Sequence, residues 1–197
     1  MAIIPSMDQT QTHQLFSALG EQLAARGDRV ELVVIGGSGL LSLGLTSRAT
    51  RDVDVVALLS GRTLASPRPL PPALLEARAQ VARDFDLPED WLNAGPADLL
   101  DFGLPEGFVD RLERRDNGEA LAVHLASRFD QVHFKLYAMV DQGAGKHEAD
   151  LRALEPTREE LLAAAGWTRA HDPSEGFREQ LLAALAYLGV EHASVDA

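Results

Sequence analysis

The chain has 197 residues, 46% of them hydrophobic and 24% charged, which suffices to bury a core as one domain or as a domain with a helical appendage. Thirty acidic against 18 basic residues give a formal charge of −12, which disfavours a protein that grips nucleic acid mainly through its phosphates. The absence of cysteine excludes disulfides, zinc–thiolate sites and cysteine nucleophiles, and no apolar run approaches the ~20 residues that span a bilayer. With no secretory signal visible in the first twelve residues, the chain reads as a cytoplasmic protein.

In chain order, residues 8–26 read as a helix, because Leu15, Phe16, Leu19 and Leu23 recur at helical spacing. Asp8 or Thr10 is placed to cap its start, and Gly27 to end it. Residues 29–35 form a strand that stops at Gly36-Gly37, and residues 38–45 a short apolar helix. Residues 52–59 form a second strand, β-branched, with Asp52 and Asp54 two apart and so on one face. Adjacent carboxylates repel, and a divalent cation is the usual reason to keep both ionised. Glycines at the mouth of a helix leave backbone N–H groups open to phosphate.

Residues 61–72, with prolines at 67, 69, 71 and 72, read as a surface loop that borders a cleft or merely connects. Helix returns over 74–85, and Trp91 beyond it reads as a packing residue. Residues 98–107 are a mixed loop or short helix, and 119–125 a further strand. The rest is helical: 127–142 with Ser127 and Asp130 at its start, a break at Gly143-Ala144-Gly145, 146–154, a helix capped by Thr157 and Glu160, and a last one opened by Asp172 or Ser174. The six histidines (13, 124, 133, 147, 171 and 192) show no metal-ligand spacing, and neither a serine elbow nor a Walker lysine motif is present.

Gly37-Ser38, thirteen residues, then Asp52-Val53-Asp54 between apolar runs resembles the signature of the nucleotidyltransferase superfamily, with its polymerase-β-like fold. Arg48-x-Thr50-x-Asp52-x-Asp54 is similar to the branch of AbiEii-type toxins and related uncharacterised bacterial proteins. The resemblance implies an α/β (α+β) fold, a mixed sheet with flanking helices over residues 1–126 and a helical part over 127–197 packed on it. It implies Asp52 and Asp54 as ligands of Mg2+ or Mn2+, and Gly36, Gly37, Ser38, Arg48 and Thr50 as the nucleotide-binding set. A third carboxylate is common in the superfamily. The matching strand here offers His124 and no acid, with Asp116 and Glu119 just before it.

Lys135, and then the string Lys146 to Leu151 carrying Asp150, resemble the lysine helix and acidic string of the AbiEii-like branch. They imply Lys135 on the phosphates and Asp150 as acceptor-side base or metal ligand. The plainer reading makes Lys135 a helix lysine reaching water and Asp150 a structural partner of Lys135 or Arg152. Two functions follow. One is transfer of a nucleoside monophosphate from a nucleoside triphosphate to an RNA, protein or small-molecule acceptor. The other is a catalytically reduced binding protein of the same fold, such as a toxin–antitoxin component, with a protein partner or a second copy of itself.

Overall fold

The structure, a computed structural model, describes residues 6–191, 193 and 195. His192 and the first five residues of the N-terminal stretch read for a signal lie outside the described residues. The chain divides into two compact units, Met1–Ser127 and Arg128–Ala197. No helix among the described residues is long and apolar enough to cross a membrane.

The first unit is the mixed α/β sheet expected. Helix α1 (Gln9–Arg26) opens with a capping box, Asp8 accepting from the Gln11 N–H while the Gln11 side chain accepts from the Asp8 N–H. Gly27, at φ +74°, ends it. Strand β1 (Val30–Ile35) is central, antiparallel to β2 (Val53–Ser60) and parallel to β6 (Leu121–Leu125). Strands β3 (Thr63–Ala65) and β5 (Glu113–Asn117) close the two edges, giving the order β3-β2-β1-β6-β5. The two-residue β4 (Leu92–Asn93) runs parallel to β2.

Alternation along the strands separates two faces. Leu32, Val34, Val53, Val55, Leu121, Val123 and Leu125 join α1 and α3 (Pro72–Asp84) in one buried core, which also takes in Trp91. At 1% exposure, with its indole N–H donating to the Arg78 carbonyl at 3.1 Å, Trp91 is a packing residue. Glu31, Val33, Ile35, Asp54, Ala122 and His124 point to the other face.

Three strands differ from the sequence expectation, the short β4 among them. Residues 61–72 are more than a loop, because Thr63–Ala65 turns back along β2, and β5 falls where no strand is legible. Glu113-Arg114-Arg115-Asp116 is charged on both faces, as suits an edge that must not pair with another chain. The helix after β1, α2 (Gly36–Ser42), starts two residues earlier than expected and takes both glycines into its first turn. A short helix α4 (Asp98–Phe102) occupies part of the segment read as mixed.

The second unit holds α5 (Arg128–Gln142), α6 (Gly145–Ala153), α7 (Arg158–His171) and α8 (Glu175–Tyr187). Trp167 of α7 sits among rings, 5.6 Å from Phe134 and 4.0 Å from His171 between centroids. Thr157 and Glu160 make the capping box of α7, and Ser174 caps α8. Arg128 donates to Glu160 at 2.6 Å and to the carbonyls of Leu154 and Glu155. That guanidinium, with the Thr157 N–H, holds the Glu160 pKa below its ordinary value.

Lys135 of α5 donates to Asp150 of α6 at 2.7 Å, both side chains nearly sealed from water. Breaking a buried pair by removing one partner costs about 3–5 kcal/mol, while replacing both by apolar groups is close to neutral. Lys135→Ala and Asp150→Ala should therefore each lower stability by about 3 kcal/mol in urea unfolding, and the double variant Lys135→Met/Asp150→Leu should recover most of that loss.

Candidate functional site

The site is built where β1 hands over to α2. Gly36 has φ +75°, and a Cβ there would lie 2.5 Å from Oδ2 of Asp54, so neither conformation nor space admits a side chain. Asp54 faces this turn because β2 is antiparallel to β1 with Asp54 opposite Ile35. A Cβ on Gly37 would lie 2.8 Å from Oγ1 of Thr50 and 3.5 Å from Nη2 of Arg48. The Thr50 hydroxyl in turn donates to Oδ1 of Asp52 at 3.3 Å. Backbone pairing of Thr50 with Met7, at 2.6 and 3.0 Å, fixes the segment from the other side.

Gly36 is thus close to Asp54, and Gly37 to Arg48 and to Thr50, which is bonded to Asp52. Asp52 lies one residue ahead of β2 and Asp54 within it, between the buried Val53 and Val55, and both aspartates are half-buried. Ser38 is fully buried, and its hydroxyl has no hydrogen-bond partner among the described residues. Its carbonyl accepts from the Ser42 hydroxyl at 2.8 Å. A buried hydroxyl without a partner carries a desolvation cost that a ligand oxygen would offset.

No group of three or more His, Asp or Glu able to hold a metal occurs among the described residues. In the row of Asp54 and Ile35, the residue following β6 is Ala126, whose N–H donates to Val34. His124 is engaged elsewhere, 2.7 Å from Oε2 of Glu31, which also accepts from Arg114 at 3.2 Å. Partial burial acts to raise the Glu31 pKa, but the hydrogen bonds from His124 and Arg114 outweigh it and hold it below its ordinary value. Mg2+ does not require a full cage of protein ligands, since it is commonly held by one or two carboxylates with water and substrate phosphates. Asp52 and Asp54 supply two carboxylates of that kind.

Sequence reasoning missed one neighbour. Asn93 of β4 lies directly beside Asp54 in register, and its amide nitrogen is 3.4 Å from Oδ1 of Asp54. Its only signal in the sequence is the Leu-Pro-x-x-Trp-Leu-Asn string, which assigns it no role. Lys135 and Asp150, the two remaining candidates, belong to the second unit, where they are each other's partners.

Gly27 and Gly36 have nearly the same φ, but only Gly36 has a neighbour within 4 Å of the Cβ position. Gly27→Ala should therefore cost about 1 kcal/mol for backbone conformation alone. Gly36→Ala should cost about 2–3 kcal/mol, and adding Asp54→Ala should recover the excess; equal costs at the two glycines in chemical denaturation would contradict the close approach.

A family model described as a nucleotidyltransferase of unknown function (DUF6036) matches residues 13–146. The match takes in the Gly36–Asp54 cluster, Asn93, His124 and Lys135 and stops short of Asp150. No curated protein and no solved structure matches the chain.

Proposed function

The chain belongs to this nucleotidyltransferase family, and from that premise we propose that it transfers a nucleoside monophosphate from a nucleoside triphosphate to an acceptor, with Mg2+ or Mn2+. The observation that carries this reading is the close approach of the Asp54 carboxylate to the Gly36 turn. Asp52 and Asp54 would hold the cation, which when bound neutralises phosphate charge and steadies the attacking and leaving oxygens. Gly36 and Gly37 let Asp54 and Thr50 close on the backbone, the buried Ser38 hydroxyl would donate to a phosphate oxygen, and Arg48 supplies positive charge beside Gly37. Thr50 holds the Asp52 carboxylate by its hydrogen bond. An acceptor oxygen would attack the α-phosphorus as pyrophosphate leaves.

The pairing of Lys135 with Asp150 supports a structural role for both. For Lys135 to reach a phosphate, or Asp150 to take a proton from the acceptor, the 2.7 Å pair would first have to open. The acceptor would be RNA, protein or a small molecule, and the charge of −12 favours the latter two.

A second reading, favoured by Ala126 and the engaged His124 where a third acid is usual, is a nucleotide- or partner-binding protein without transfer, such as a toxin–antitoxin component or a homodimer. Incubation with each α-labelled triphosphate, Mg2+ or Mn2+ and candidate acceptors separates the two: label should move to an acceptor in the first and remain in the triphosphate in the second. In either, Asp54→Asn should abolish Mg2+-dependent triphosphate binding by calorimetry while holding or raising the metal-free melting temperature, because like-charge repulsion with Asp52 is relieved. A marked fall in that melting temperature would make Asp54 a structural residue instead.

A further inference from the structure

We infer that Asn93, locked in place by Gly95 and Arg68, is a positioning residue that fixes the Asp54 carboxylate for a divalent cation. The inference rests on the reading of Asp52 and Asp54 as cation ligands. An amide has a donor end and an acceptor end, and at Asn93 the acceptor end is committed: Oδ1 receives the Gly95 N–H at 2.7 Å. A flipped amide would set NH2 against that N–H, two donors facing each other, so Nδ2 is held toward Oδ1 of Asp54. Gly95 has to be glycine for this, because a Cβ would lie 2.7 Å from the same Asn93 oxygen. The two oxygens of Asp54 are thereby distinguished, Oδ1 facing the amide and Oδ2 the Gly36 turn.

The turn that carries Asn93 needs support, because β4 has only two residues. Arg68 supplies it from the proline-rich segment, donating through Nε to the Ala94 carbonyl at 2.8 Å and through Nη2 to the Gly95 carbonyl at 2.5 Å. Its remaining nitrogen meets Asp98 at 2.5 Å, so the guanidinium is used on every side. The proline-rich segment is thus a brace for the site. An aspartate at 93 would have added a third carboxylate beside Asp54; asparagine offers a neutral donor in the same place.

Residues that orient a metal ligand from behind typically cost 10–100-fold in metal affinity when removed. The test measures Mn2+ affinity of the full chain by the free-ion EPR signal, with the Asp52→Asn/Asp54→Asn variant as the floor. Asn93→Ala should weaken Mn2+ binding by about tenfold and Arg68→Ala should weaken it in the same direction. In metal-free protein, Asp54→Asn should also shift the Asn93 side-chain amide signal in NMR, a change that a purely structural Asn93 would not show. Wild-type Mn2+ binding with unchanged affinity in Asn93→Ala overturns this inference alone, as does an amide signal that Asp54→Asn leaves unmoved. Wild-type binding no better than the floor overturns the two-aspartate reading and this inference with it. Should Asn93→Ala fail to fold, the amide signal decides.

Discussion

The Gly36 turn is the constraint on which the rest of the site depends. With a carboxylate oxygen 2.5 Å from where a Cβ would stand, the turn has no room for a side chain beside Asp54, and its backbone conformation is one that glycine adopts without strain. The register of β1 against β2, with Ile35 opposite Asp54, brings the carboxylate to this turn. Register in turn places Asn93 of β4 beside Asp54. Gly37 repeats the device one residue on, against Thr50, which holds Asp52. A short stretch of chain therefore sets two carboxylates, a buried hydroxyl and an arginine around one backbone turn.

The helical unit is stabilised differently. Its rings gather on Trp167, and a nearly sealed ion pair joins α5 to α6. A buried pair specifies which helix turns face each other more than it adds stability, because desolvation offsets most of the Coulomb gain. Lys135 and Asp150 are therefore accounted for within their own unit, and the aspartates, glycines and Asn93 of the first unit make up the proposed site.

Much of this was legible in the sequence, for identifiable reasons. The run from Leu32 to Ile35, its stop at Gly36-Gly37 and the Asp-x-Asp in a β-branched strand are local patterns, and local patterns fix which elements form. Family membership was readable from the same stretch. What escaped notice depends on pairing between distant segments. The charged β5 has no apolar alternation to read, and β3 is three residues hidden before a group of prolines. The place of Asn93 follows from a parallel register 39 residues from Asp54, and the grip of Arg68 from contacts 26 to 30 residues away. The plainer reading of Asp150, as partner of Lys135, matches the contact that the structure contains.

The central claim is that Asp52 and Asp54 hold a divalent cation at the Gly36 turn. Crystals grown with Mn2+ and a non-hydrolysable nucleoside triphosphate analogue test it most directly, by anomalous scattering from the metal. The account predicts an anomalous peak at the Asp52 and Asp54 carboxylates, with the phosphates of the analogue beside it. Bound analogue with the metal peak elsewhere on the protein, or no peak at these carboxylates at saturating Mn2+, would contradict it.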